Sequence, residues 1–202
     1  MERDHKKTLA VLIDSSSSMG IADPRINIKD IAREAIANGT LDPSASLDSS
    51  PDKLPQSPSS RFKIAEQALN NEKINLLKRL GEKSEIVTYN FGGAINDSSP
   101  TSEPKDSETS IGNALHEVLR RHSADDLGGI LLISDGANNE GKAIIPVAED
   151  LRERGIPVFA YAVGTDSPKD TAIKSIQLPS VALAEDAVPV TIQFNQQGMA
   201  GE

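Results

Sequence analysis

Short apolar runs and stretches of helical periodicity alternate along this chain. The apolar runs predict buried strands, and they fall at residues 8–13, 85–91, 129–133 and 157–163. Between them, apolar side chains recur every three to four positions, a spacing typical of helices packed on one face. These stretches fall at residues 28–36, 61–80, 111–122 and 146–154. Strands that alternate with helices form βαβ units, so the pattern predicts an α/β fold with a mainly parallel sheet.

Capping residues indicate where the first two helices begin and end. Asp23 followed by Pro24 is typical of an N-cap with proline at the first helical position. Gly39 is expected to end that helix, since glycine tolerates the left-handed conformation found there. Residues 61–80 are predicted to form one helix, bent near Asn70-Asn71 and closed by Gly81.

Two segments depart from this alternation. Residues 40–60 are rich in Ser, Pro and Asp and predict a mobile surface insertion; the alternative is a partner-binding segment that orders on contact. Residues 173–178 are expected to be the last strand of the sheet, and residues 181–194 continue a β pattern without a helix. We therefore predict a domain over residues 1–172, and a last strand with the start of a truncated β-sandwich-like module over residues 173–202.

Composition narrows the possible classes of function. The 202 residues carry a net charge of −9, which argues against a nucleic-acid surface because phosphate contacts need clustered Lys and Arg. The chain has no Cys, so disulfides, zinc-thiolate sites and thiol catalysis are excluded. No apolar run approaches the ~20 residues of a membrane helix, and the N-terminus lacks a signal-peptide pattern. A soluble chain without direct membrane contact is expected.

Polar residues follow the first apolar run at once. Asp14 is succeeded by four serines, which places a carboxylate and several hydroxyls at the carboxyl end of a buried strand. In open α/β sheets ligands bind at that edge. These hard oxygen donors suit a magnesium-type cation. Alone, the run is also compatible with a turn or a helix cap, since Ser favours both.

Two further loops are predicted at the same edge of the sheet. Thr109 lies just before the helix that starts at Ile111, and Asp135 lies just after the strand at residues 129–133. Together with Asp14 and the serines, they offer carboxylates and hydroxyls from three separate loops. Such a set leaves a bound ion electron-poor, and an external carboxylate could complete its coordination.

The three motifs together resemble the von Willebrand factor A domain and its metal-ion-dependent adhesion site. The resemblance covers roughly residues 7–165 and rests on Asp-x-Ser-x-Ser at residues 14–18, on the threonine loop and on Ser-Asp-Gly at residues 134–136. It implies a doubly wound sheet with one antiparallel edge strand, which fits the short segment at residues 94–97. It also implies a site for Mg²⁺, or Mn²⁺ or Ca²⁺. The implied metal residues are Asp14, Ser16, Ser18, Thr109 and Asp135.

The resemblance also carries expectations about function. It implies a non-enzymatic interaction module in which the cation captures an acidic residue of a protein partner. One alternative is an adaptor subunit working with an AAA-type ATPase, where the same domain has a different partner. A metal-dependent phosphoryl-transfer hydrolase is a third reading, but such an enzyme needs a second acid where this chain has Ser16, and the chain lacks a Walker loop and a nucleophile elbow.

A narrower resemblance concerns the setting of the domain. Residues 152–158, Arg-Glu-Arg-Gly-Ile-Pro-Val, and the β-rich tail look like the corresponding segment of large bacterial envelope proteins. In those proteins membrane helices flank the domain. The resemblance therefore implies that the full-length protein is associated with a bacterial envelope membrane, although the chain itself is expected to be soluble.

Overall fold

The computed structural model describes residues 6–25, 27–47, 58–97, 104–165, 170–179, 181 and 188–197. The chain divides into two compact units, Met1–Gly164 and Thr165–Glu202. Residues 48–57 of the insertion predicted at residues 40–60 lie outside the described residues.

The first unit alternates strands and helices as the apolar pattern predicts. Its strands are β1 (Thr8–Asp14), β2 (Glu85–Phe91), β3 (Ile95–Asn96), β4 (Leu127–Ser134) and β5 (Val158–Ala162). Its helices are α1 (Ile28–Ala37), α2 (Arg61–Asn70), α3 (Leu76–Gly81), α4 (Ile111–Arg121) and α5 (Ile144–Glu153), with a 3₁₀ turn at Ser17–Gly20. The predicted strands are confirmed within a few residues at each end.

The strands form one sheet in the order β3-β2-β1-β4-β5, in which β3 is antiparallel and every other pairing is parallel. Side chains of β1 alternate between its faces. Ala10 and Leu12 pack in a cluster with residues of α4 and α5. Val11 and Ile13 pack on the other side with residues of α2. The predicted α/β fold, doubly wound with one antiparallel edge strand, is confirmed, and β1 lies in the buried centre of the sheet.

The predicted start of the first helix is wrong. α1 begins at Ile28, and its N-cap is Asn27, whose side chain accepts a hydrogen bond from the Lys29 N–H at 2.9 Å. Asp23 instead is buried, with 3% of its side chain exposed, and pairs with Arg61. The guanidinium offers this carboxylate two parallel hydrogen bonds from a cation, so Asp23 forms the ion pair and does not cap the helix.

The single bent helix predicted at residues 61–80 is two helices, α2 and α3. The chain leaves the helical conformation at Asn71, whose side-chain amide donates to the carbonyls of Ile36 (2.7 Å) and Ala37 (3.1 Å) at the end of α1. Its side-chain oxygen accepts the Lys73 N–H at 2.8 Å. Asparagine competes with the helix for backbone hydrogen bonds, and here that competition ends α2.

The second unit contains two strands, β6 (Asp170–Gln177) and β7 (Thr191–Gln197), which pair antiparallel with each other. Among the described residues these two strands form a sheet of their own. The expectation that residues 173–178 add the last strand to the main sheet stays a prediction.

No helix among the described residues combines the length and the apolar character needed to cross a membrane. This finding concerns those residues alone.

Candidate metal centre

The first loop of the site, residues 14–20 and called loop 1 below, leaves the carboxyl end of β1. Asp14 is completely buried there. Its Oδ1 accepts the Ser16 N–H at 2.9 Å, and its Oδ2 accepts the Ser134 hydroxyl at 2.7 Å. Burial raises the pKa of the Asp14 carboxyl above its usual value, although these hydrogen bonds oppose the shift. The hydrogen bonds thus do not fully offset the cost of burying the ionised carboxylate.

The serines of loop 1 divide into two sets. The hydroxyls of Ser16 and Ser18 lie 3.0 Å apart, and Ser16 is buried. The Ser15 hydroxyl donates to the Phe91 carbonyl at 3.0 Å, and Ser17 is exposed. The tight turn therefore brings together the alternate hydroxyls predicted as ligands. Of the other two serines, Ser15 bonds to the backbone of β2 and Ser17 lies at the surface.

Backbone hydrogen bonds fasten the second loop to the first. In loop 2, residues 104–110, the Asp106 carbonyl accepts the Ser17 N–H at 2.6 Å, and the Lys105 N–H donates to the Ser15 carbonyl at 3.1 Å. Loop 2 thus runs beside loop 1 as an isolated parallel bridge. Thr109, which is 2% exposed, lies near the end of loop 2, two residues before the start of α4.

The third loop, residues 135–142 and called loop 3, follows β4 and holds the threonine in place. The Asn139 side chain accepts the Thr109 N–H at 2.8 Å, and the Asn139 N–H donates to the Thr109 carbonyl at 3.1 Å. The Asn138 side chain accepts the Ile111 N–H at 2.8 Å and so caps the start of α4. Sequence reasoning missed both asparagines; their position just after Ser-Asp-Gly was the available signal.

Asp135 opens loop 3, and its side chain is 5% exposed. Its Oδ1 accepts the Ala137 N–H at 3.0 Å, and its Oδ2 accepts a hydrogen bond from Arg61 Nη1 at 2.7 Å. Arg61 is the first residue of α2 and was also missed by the sequence analysis. The signal was weak, because the chain separates Arg61 from both of its carboxylate partners by long intervals.

The site residues predicted from the sequence thus lie on three loops that hydrogen bonds join. Asp14 accepts a hydrogen bond from Ser16 in loop 1 and another from Ser134, the residue before Asp135. Repulsion from Asp135 adds a further, smaller rise to the pKa of Asp14. The described residues contain no cluster of three or more His, Cys, Asp or Glu side chains suited to a metal. Any cation held here would depend on hydroxyls as well as carboxylates.

Fold and site together define a doubly wound α/β domain with oxygen donors clustered at the carboxyl edge of its parallel strands. Comparison with protein families matches residues 70–189 to the von Willebrand factor type A domain. The chain belongs to that family. The matched range includes Thr109 and Asp135, whereas loop 1 precedes it.

Solved structures give further similarities. An aerotolerance-related membrane protein from Bacteroides fragilis is 19% identical, with 92% of this chain and 81% of that chain covered and a TM-score of 0.42. A manganese-loaded Plasmodium vivax TRAP protein is 19% identical, with 80% and 58% covered and a TM-score of 0.36. Proximal thread matrix protein 1 from the mussel byssus, with a zinc-occupied MIDAS motif, is 17% identical, with 78% and 38% covered and a TM-score of 0.40. No curated protein matches the chain.

Proposed function

We propose that this domain is a non-enzymatic interaction module that binds a divalent cation and uses it to capture an acidic residue of a protein partner. The proposed metal residues are the five predicted from the sequence: Asp14, Ser16, Ser18, Thr109 and Asp135. Mg²⁺ is the proposed ion, with Mn²⁺ or Ca²⁺ as substitutes.

The observation that carries this proposal is the state of loop 1. A completely buried carboxylate, Asp14, lies in a turn whose Ser16 and Ser18 hydroxyls are 3.0 Å apart. The pKa of Asp14 is raised by burial and by the nearby carboxylate of Asp135. A divalent cation would stabilise the ionised form of both groups, so the residues present fit such an ion.

The donor set also favours the capture of a carboxylate. Hard oxygen ligands select Mg²⁺-like ions over softer metals. Hydroxyls carry no charge, so a cation held by them keeps much of its positive charge for a further, negatively charged ligand. When bound, the ion would supply electrostatic attraction for a partner's Asp or Glu side chain.

Calorimetric titration with Mg²⁺ tests the metal site. Wild-type protein should bind one equivalent, and Ser16→Ala and Thr109→Ala should lose most of that affinity because each removes one oxygen donor. Ser17→Ala is the matched control: Ser17 is in the same turn but exposed, so its affinity should stay at the wild-type level. Equal affinity in all four proteins would contradict the assignment.

Carboxylate capture needs its own measurement. Acetate serves as the probe: in Mn²⁺-loaded protein it should displace metal-bound water, which lowers the relaxation rate of solvent protons. EDTA should abolish the effect. Acetate binding that persists in EDTA would show that the carboxylate site does not use the metal.

The proposal also predicts no turnover of a generic phosphate monoester in the presence of Mg²⁺, and hydrolysis that disappears in Asp14→Asn would favour the hydrolase alternative. The expected association with a bacterial envelope membrane stays a prediction.

A further inference from the structure

Arg61 lies between two buried carboxylates at the edge of the proposed metal site. Its Nε and Nη2 donate to Asp23 Oδ2 and Oδ1, each at 2.7 Å, in a bidentate pair. Its Nη1 donates to Asp135 Oδ2 at 2.7 Å. The side chains of Arg61, Asp23 and Asp135 are 15%, 3% and 5% exposed. One guanidinium therefore serves two carboxylates that water reaches poorly.

The contact with Asp135 has two physical effects. It fixes the orientation of the carboxylate, since Oδ1 is also held by the Ala137 N–H at 3.0 Å. It also compensates part of the negative charge that Asp135 would otherwise offer to a cation. Close ion pairs of low exposure are poorly screened by water and salt, so this compensation reaches the metal site.

The positive charge of Arg61 is permanent. The hydrogen bonds that Arg61 donates to Asp23, and then to Asp135, raise the pKa of the guanidinium above its already high value, against the effect of burial. The guanidinium therefore acts on the site at every pH at which the domain is folded.

We propose that Arg61 is a positioning residue that weakens the hold of Asp135 on the bound cation and so keeps the ion available for a partner's carboxylate. This inference rests on the proposed function of the site. Asp23 opposes this effect: it pairs with the same guanidinium and so limits how much of the negative charge of Asp135 Arg61 compensates.

Opposite effects on two affinities distinguish this role from a merely structural one. Arg61→Met frees Asp135, so Mg²⁺ should bind about tenfold more tightly, at the low end of the coupling measured for close charge pairs. Acetate should then displace less water from Mn²⁺-loaded Arg61→Met than from wild type, because a more strongly charged ligand set satisfies the ion. If Arg61 only stabilised the fold, its replacement would weaken both the binding of Mg²⁺ and the binding of acetate to the metal.

Asp23→Asn supplies the reverse perturbation. In this variant Asp135 is the remaining carboxylate partner of the guanidinium. The Mg²⁺ affinity of Asp23→Asn should therefore fall below that of wild type, whereas that of Arg61→Met should rise above it. Arg61→Lys keeps the charge but cannot reproduce the fork that bonds both carboxylates, so its Mg²⁺ affinity should lie between those of wild type and Arg61→Met. If Arg61→Met does not fold because Asp23 is stranded, the double variant Asp23→Asn/Arg61→Met removes that carboxylate and should show the same gain in Mg²⁺ affinity.

The outcomes separate this inference from the proposed function. Calorimetry on folded proteins, checked by circular dichroism in EDTA, gives the Mg²⁺ affinities. If wild type binds Mg²⁺ and neither Arg61→Met nor the double variant binds more tightly, the role of Arg61 is refuted and the metal site stands. If wild type binds no Mg²⁺, both fall together.

Discussion

The close approach of α4 to loop 3 makes Gly112 a sensitive position. A Cβ at Gly112, in the first turn of α4, would lie 2.0 Å from the Lys142 carbonyl oxygen and 2.8 Å from its carbonyl carbon. Both are backbone atoms, which cannot swing aside as the end of a side chain can. We therefore predict that Gly112→Ala forces loop 3 away from the helix and destabilises the domain.

The magnitude follows from two opposing contributions. Inserting a methyl group into a packed contact costs about 1–3 kcal/mol. Replacing glycine by alanine in a helix returns at most about 1 kcal/mol, and less in the first turn. The net loss should be about 1–2 kcal/mol, and a domain of this size should lose about 2–4 °C in Tm for each kcal/mol.

Thermal unfolding in EDTA, followed by circular dichroism, measures this loss. Gly81→Ala is the matched control, because a Cβ there meets only Ile86 Cγ1 at 3.8 Å, an ordinary contact. Its free energy of unfolding should stay within about 1 kcal/mol of wild type. Loop 3 also holds Thr109, so Mg²⁺ affinity should fall in Gly112→Ala as well. A Gly112→Ala protein that melts at or above the wild-type temperature would refute the reasoning.

Other regions of the fold give further predictions. Asn71→Ala removes side-chain bonds to the end of α1 and to the Lys73 N–H in the link between α2 and α3, so it should cost about 1–3 kcal/mol in urea unfolding. Leu12→Ala empties a fully buried position and should cost about 2–5 kcal/mol, whereas Ile145→Ala, 69% exposed, should change little. Hydrogen bonds from Arg120, and then Arg121, lower the pKa of Glu117 to about 2 from 4.5. A lowered folded pKa means that this stabilisation is present above pH 4.5 and is lost as the pH falls towards 2, so the Tm difference between wild type and Glu117→Gln should shrink over that window. A difference independent of pH would contradict it.

The strands could be predicted because they are short runs rich in apolar residues. β1 is covered on both faces, and its residues 9–13 are all apolar, so no polar side chain interrupts the pattern there. The predicted site residues likewise follow from their places at the ends of β1 and β4 and at the start of α4. Each of these signals comes from a few consecutive residues, and the strand or helix end that it indicates is formed by the same residues.

The rest of the site depends on contacts between residues distant in the chain. Arg61 lies 38 positions from Asp23 and 74 from Asp135, and neither spacing carries a periodic signal. The break after α2 has the same origin, since Asn71 ends the helix by bonding to α1, 34 and 35 positions earlier. A pattern of apolar and polar residues cannot show which distant groups a polar side chain will reach.

Hydrogen bonds already hold the three loops together without help from an ion. Loops 1 and 2 share backbone bonds at Asp106, and loops 2 and 3 share bonds in both directions between Thr109 and Asn139. A cation would therefore order little backbone when it binds, and its removal should leave the fold intact. Circular dichroism spectra in EDTA and in Mg²⁺ should coincide. Mg²⁺ at a concentration of about 100 Kd should raise the free energy of unfolding by about 2.7 kcal/mol, and the Tm should rise accordingly. A loss of secondary structure in EDTA would show instead that the ion, rather than the loop contacts, builds the site.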